Sequence, residues 1–295
     1  PKQGFMTDAV FQKAVQRAVE ENLAVMLTGQ GESLIHPRFE KCISYLVDHH
    51  VPFALTTNAA LLTPERSAFL IKSGISRITF SISDFGADYE EVYNLDFDTM
   101  RRNVDSFMSI NSQCEESKRS EVWVSIVEHD INREKIPEMR AYWEALGVTG
   151  VYVFRQITRG GACQTDHYFL RSEAHRVEAE ALMAAKGVST LCNLAFTAPF
   201  IGWNGQYYIC CSDYEKVEPL GTVFDYSLRD MDSIKKDSIY RGNSACLKCN
   251  YDPVNAVREA MFEVGLGEAK RSKISNRLGI LKKQQADNPE LYAVI

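Results

Sequence analysis

Residues 23–32 read L-A-V-M-L-T-G-Q-G-E: an unbroken apolar run, a threonine, then a turn carrying two glycines and a carboxylate. An apolar run of this length predicts a strand over 23–28, buried on both faces of a parallel sheet. The glycines let backbone approach a ligand closely. The same pattern recurs along the chain. Further strands are predicted at 53–57, 75–81, 122–127 and 150–154. Amphipathic helices are predicted at 7–22 (Val10, Phe11, Ala14, Val15 and Ala18 on one face), 38–50, 64–73, 98–110 and 134–146. Alternation with short turns predicts parallel strands joined by right-handed crossovers. Polar residues cluster just after each strand: 28–32, 57–58, 81–84, 125–128 and Arg155. Ligands of parallel α/β sheets sit at the carboxyl ends of the strands, so these clusters are expected to line one mouth.

Beyond about residue 161 the texture changes. A helix is predicted at 172–186, and W-N-G within 200–211 signals a hairpin. A cysteine-bearing loop at 246–249 and a helix at 254–264 follow. Residues 268–283 carry six Lys/Arg against one acid and read as a solvated basic helix. The expected division is 1–170, 171–264 and a basic helical tail at 265–295.

The 295 residues are 45% hydrophobic and 24% charged, enough apolar material for a core and unlike a disordered chain. A net charge of −6 argues against nucleic-acid binding. The longest apolar runs are strand-sized, short of the roughly 20 residues of a membrane span. Eight cysteines are too sparse for a small disulfide scaffold, and no secretory segment is visible. The expectation is a cytoplasmic protein whose clustered cysteines do metal or redox chemistry.

The turn T-G-Q-G-E is neither a P-loop, because no Gly-Lys-Ser/Thr follows, nor a dinucleotide fingerprint, because the third glycine is missing. On its own it reads as a plain strand-to-helix turn that needs no ligand. A second signal is Cys192, Cys210, Cys246 and Cys249. The last two form a C-x-x-C pair, and the hairpin would bring Cys192 and Cys210 beside them. Four thiolates suit zinc or an iron–sulfur cluster. Only one close pair is present, which is unlike a zinc ribbon. Cys211 is an alternative to Cys210, since adjacent strand residues face opposite ways. Cys42 reads as a buried free thiol on a helix, and Cys114 lies in a polar stretch. Cys163, in R-G-G-A-C, is a candidate redox or hydrogen-donating residue at the mouth. His36 reads as a turn residue and His49–His50 as a helix end. The absence of H-x-x-x-H gives a zinc hydrolase no support.

Taken together, these motifs resemble the radical S-adenosylmethionine (SAM) superfamily over nearly the whole chain. L-T-G-Q-G-E-S-L-I-H-P-R-F resembles that family's Gly-Gly-Glu turn and the helix entry after it. T-T-N-A-A-L-L-T resembles its T-N-G-x-L-L turn, and I-T-F-S-I-S-D its i-x-i-S-l-D strand end. The resemblance implies an α/β fold, a partial (βα)6 barrel followed by a small α+β domain for an auxiliary cluster. It implies that Gly29, Gln30, Gly31 and Glu32 meet the methionyl amino group of SAM. Asn58, Ser81 and Ser83 are assigned to the ribose and methionyl region. Ser125 and Arg155 are added by strand position. G-Q-Y-Y-I-C at 205–210 resembles the hairpin of the "twitch" domain, the short form of the SPASM domain. Cys192, Cys210, Cys246 and Cys249 then match the ligands of one auxiliary [4Fe–4S] cluster.

Gln30 stands within the Gly-Gly-Glu turn, and Ala59 stands where the family has glycine. The C-x3-C-x2-C motif of the SAM-binding [4Fe–4S] cluster is not found. With five strands for six, this predicts that the first βα unit precedes Pro1. The implied activity is reductive cleavage of SAM to a 5′-deoxyadenosyl radical, which takes a hydrogen from a sugar, aminocyclitol or peptide. The auxiliary cluster would assist oxidation, epimerisation or another modification. The implied electron donor is a flavodoxin- or ferredoxin-type reductant. The competing expectation is a non-catalytic iron–sulfur or zinc module.

Overall fold

The computed structural model describes residues 4–163, 173–262 and 268–287. Contacts divide the chain into two units, one of Phe5–Gln156 and one joining Gly4 to the chain from Ile157 onward.

In the first unit, β1 (Val25–Leu27), β2 (Phe53–Thr57), β3 (Arg77–Ser81), β4 (Glu121–Glu128) and β5 (Gly150–Arg155) form one parallel sheet in chain order. Around them run α1 (Asp8–Glu20), α2 (Phe39–Asp48), α3 (Pro64–Lys72), α4 (Gly86–Tyr93), α5 (Phe97–Ser112) and α6 (Ile136–Ala145). The helix starts are written in the sequence. Thr7, Thr63 and Asp96 accept from backbone N–H groups at the heads of α1, α3 and α5, and Pro64 opens α3.

The period-two side-chain pattern separates the two faces of the sheet. Ile78 and Phe80 of β3 and Val122, Val124 and Ile126 of β4 belong to the core, with Phe107, Met139 and Trp143 from the helices. Thr79, Ser81, Trp123 and Ser125 stand on the other face and are half-buried. Register aligns that second face: Thr79 opposite Trp123, Ser81 opposite Ser125, and Ser125 opposite Tyr152.

Two expectations are corrected here. The run at 23–28 is not a strand buried on both faces. Only Val25–Leu27 is strand, it lies at the sheet edge, and Met26 is 46% exposed while its neighbours pack on the core. Residues 86–93 also form a helix that the apolar pattern did not announce. The preceding residue, Phe85, anchors it against Phe97, Tyr142 and Trp143.

The second unit holds α7 (Glu173–Ala185), α8 (Leu194–Thr197), α9 (Asp230–Tyr240), α10 (Ser244–Leu247), α11 (Pro253–Phe262) and α12 (Glu268–Ala286). Strands β6 (Phe200–Ile201) and β7 (Tyr207–Tyr208) form the antiparallel hairpin that W-N-G predicts, and Gly205 turns it at φ 78°. Helix α12 is not a solvated tail. Leu278 and Leu281 are buried with Val254, Val257 and Met261 of α11 and Ala179 and Met183 of α7. Gln285 exchanges two hydrogen bonds with the backbone of Ser189. Lys273, Lys282 and Lys283 are exposed, which is why composition alone suggested a free helix.

The division between units falls at Gln156/Ile157. The turn that follows belongs with the second unit because Thr158 donates from Oγ1 to Lys248 O and from its backbone N to Asn250 Oδ1. No described helix is long and apolar enough to cross a membrane.

Candidate functional site

In the first unit, the strand ends are tied together by Glu32. One carboxylate oxygen accepts from Leu34 N at 2.9 Å and from Thr57 Oγ1 at 3.0 Å; the other accepts from Asn58 N at 2.9 Å. The side chain assigned to SAM by resemblance thus joins the loop after β1 to the loop after β2. Gly29 and Gly31 are exposed, and a Cβ at either would meet no atom within 4 Å. Neither packing nor backbone conformation requires glycine there, so what the two residues keep is open space beside the turn. Gln30 lies between them, half-buried.

The loop after β2 is equally determined. Asn58 Oδ1 accepts from Ala60 N at 3.0 Å. Ala59 sits at φ 62°, in the left-handed region, which explains glycine as the family residue there. Asn103 of α5 is buried and donates to the carbonyls of Ala59 and Ala60. It is a site-building residue that no motif revealed.

Ser81 and Ser125 are cross-strand partners on the half-buried face of the sheet, with Tyr152 next in register. Ser83 is placed differently. It is 2% exposed, its Oγ accepts from Val127 N, its N donates to Tyr93 Oη and its carbonyl accepts from Asn132. Those bonds pin the loop after β3 to the end of β4. Arg155 is the exposed last residue of β5, opposite Glu128. Sequence reasoning missed a pair between these strand ends: Asp84, 1% exposed, meets His129 Nε2 through Oδ2 at 3.0 Å. Asp84 Oδ1 is buried without a partner, and burial raises its pKa against the pull of His129.

In the second unit, Cys192, Cys210, Cys246 and Cys249 line one cavity. Cys211 is exposed and does not line it. Cys163 follows the turn at Arg159–Gly161, is half-buried and also lies off the cavity wall. Burial raises the pKa of all four lining thiols, that of Cys210 to about 11. The thiols form a ring of walls; among the described residues no three His, Cys, Asp or Glu meet closely enough to hold a metal ion as placed.

The backbone around the C-x-x-C pair is held by Asn255. Its fully buried side-chain NH2 donates to the carbonyls of Cys246, Leu247 and Cys249 at 2.9–3.1 Å. Asp252 starts α11 by accepting from Val254 N and Asn255 N, and burial pushes its pKa up to about 6. Gly160, at φ 66°, closes the wall from another side: a Cβ there would lie 3.1 Å from Ala245 Cβ and 3.3 Å from Ser212 O. Lys235 of α9, 1% exposed, donates to Ala195 O and Ala198 O, and Ala195 lines the same cavity. Burial pulls its pKa down to about 8.

No protein-family model matches the chain, and no curated protein matches it. Solved structures do. The chain superposes on native anSMEcpe with bound AdoMet at TM-score 0.58 and 14% identity, over 100% of this chain and 91% of that one. Streptococcus suis SuiB, bound to the precursor peptide SuiA, gives TM-score 0.58 and 15% identity over 85% of this chain and 64% of SuiB. BtrN, in complex with AdoMet and 2-DOIA, gives 0.50 and 14% over 86% of this chain and 84% of that one. The fold is that of the radical SAM partial barrel, five parallel strands with a small carboxyl-terminal α+β unit.

Proposed function

We propose that the protein is a radical SAM enzyme that cleaves SAM reductively and takes a hydrogen atom from its substrate, assisted by one auxiliary [4Fe–4S] cluster. One observation carries the reading: four cysteines from three separate segments line a single cavity in a chain with this fold. When bound, SAM and its cluster supply a 5′-deoxyadenosyl radical; the chain's own residues position and shield it.

The open space at Gly29 and Gly31 suits the methionyl end of SAM, with Gln30 beside it. Glu32 and Asn103 fix the loops after β1 and β2. Ser81 and Ser125 offer adjacent hydroxyl positions on the sheet face, next to the exposed rings of Tyr152 and Phe154. Cys192, Cys210, Cys246 and Cys249 would hold the auxiliary cluster. Their raised pKa values mean that loading must displace thiol protons. Cys192 and Cys249 are buried and Cys210 and Cys246 half-buried.

The substrate we infer is a peptide or a sugar-like small molecule. SuiB holds a precursor peptide and BtrN holds 2-DOIA, and the paired hydroxyl and aromatic positions on the sheet face would serve either. A flavodoxin- or ferredoxin-type reductant supplies the electron. An oxygen-sensitive cluster of this kind belongs in the reducing cytoplasm.

The test is the metal itself. Protein purified anaerobically is expected to contain iron and acid-labile sulfide, and Cys246→Ala or Cys249→Ala is expected to lower both. Stoichiometric zinc without sulfide would overturn the auxiliary-cluster assignment.

A further inference from the structure

Lys235 poses an electrostatic problem. Its ammonium is buried on the inner face of α9. Among the described residues its hydrogen bonds go only to the carbonyls of Ala195, at 2.5 Å, and Ala198, at 3.3 Å. No carboxylate is bonded to it, and Asp232 on the same helix is exposed. A buried charge is costly unless a counter-charge compensates it. Carbonyl dipoles compensate in part. The remaining candidate is the cavity of four thiols, which Ala195 helps to line. A cluster held by four thiolates is anionic, because the ligand charge exceeds that of the iron–sulfide core, and one-electron reduction makes it more so.

We infer that Lys235 is the counter-charge of this cavity: a positioning residue that braces the wall at Ala195 and raises the reduction potential of the cluster held by Cys192, Cys210, Cys246 and Cys249. The inference rests on the auxiliary-cluster reading. A fixed cation near the cluster favours the more negative, reduced state. Burial preserves that effect, since water and salt screen an interior charge weakly. The cation at this place makes the cluster a better electron acceptor. The sequence hides the residue, because a lysine in D-M-D-S-I-K-K-D reads as one more surface charge.

The test is a redox titration of the auxiliary cluster, followed by electron paramagnetic resonance, in the full-length protein and three variants. Lys235→Gln keeps an N–H for the carbonyls and removes the charge. Lys235→Met removes both, and Lys235→Arg keeps both. Iron and sulfide are measured in each. The neutral variants are expected to disfavour reduction about tenfold or more, a shift of about 59 mV to more negative potential for one electron. Lys235→Arg is expected to stay near the wild type.

A wild-type protein without iron and sulfide overturns the underlying reading. A loaded cluster whose potential is the same in Lys235→Gln and wild type overturns this inference alone. So does a shift in Lys235→Arg equal to that in Lys235→Gln. If both neutral variants fold to the wild-type circular dichroism but lose iron, and Lys235→Arg retains it, the charge is needed for binding and the inference stands. If Lys235→Arg loses iron as well, packing is the cause and the inference falls.

Discussion

Glu32 shows how one side chain can be essential to a site by holding it together. Its two oxygens accept from three donors on two loops. Hydrogen bonds to a charged group contribute roughly 1.5–3 kcal/mol each when a partner is removed. Glu32→Ala is therefore expected to lower stability by about 2 kcal/mol or more in urea denaturation, and to weaken SAM binding by calorimetry. A variant with wild-type urea midpoint and affinity would show that these ties do not matter. Asp84 gives a pH signature. Burial raises its pKa in the fold above the ordinary carboxyl value, so the native state holds its proton more tightly than the unfolded chain. A raised carboxyl pKa means that the fold is penalised as pH rises through and beyond the unfolded value. Relative to Asp84→Asn, the wild type is expected to lose stability between pH 4 and pH 7. A difference in urea midpoint, wild type minus Asp84→Asn, that is constant or increases as pH rises contradicts this. At this scale the sequence was informative wherever a backbone rule applied: Ala59 stands out as a non-glycine in a glycine position, and the structure gives it φ 62°. Asp84 with His129, Asn103, Asn255 and Lys235 were not legible. Asp84, Asn103 and Lys235 work through partners 40 to 45 residues away, and Asn255 through carbonyls six to nine residues back.

At the scale of elements, the strand–helix alternation was readable because apolar residues recur with periods of two and 3.6. The failures have local causes. Strand β1 is apolar yet lies at an edge, so its composition overstated its burial. Helix α9 buries Met231, Lys235 and Ser238, a mixed face that gives no apolar stripe. At its start, Ser227 and Asp230 exchange reciprocal hydrogen bonds. Helix α10 is a four-residue turn inside the cysteine loop. The C-x-x-C turn depends on α11 through Asn255, whose loss would remove the side-chain donor from Leu247 O and a second donor from Cys246 O and Cys249 O, which also accept from Cys249 N and Asp252 N. An ordinary hydrogen bond contributes about 0.5–1.5 kcal/mol net. Asn255→Ala is expected to retain less iron than wild type after anaerobic reconstitution and desalting, and to denature at lower urea. Full iron content at an unchanged midpoint would mean that the turn holds its shape unaided.

At the scale of the whole molecule, the two units carry separate parts of the proposed chemistry: an open parallel sheet with ordered loops at its strand ends, and a compact unit whose thiols ring a cavity. The motifs named the fold because they lie at strand ends, where backbone geometry and ligand contact constrain residue type together. The substrate was not legible, since the sheet face that would meet it is ordinary Thr, Ser and aromatic residues whose adjacency arises only from register. The central claim is catalytic, and one measurement addresses it. The full-length native protein, purified anaerobically and loaded with iron and sulfide, is incubated with SAM and dithionite. The account predicts that 5′-deoxyadenosine and methionine form together and depend on the reductant. Intact SAM recovered from a reduced, iron-loaded protein would contradict it.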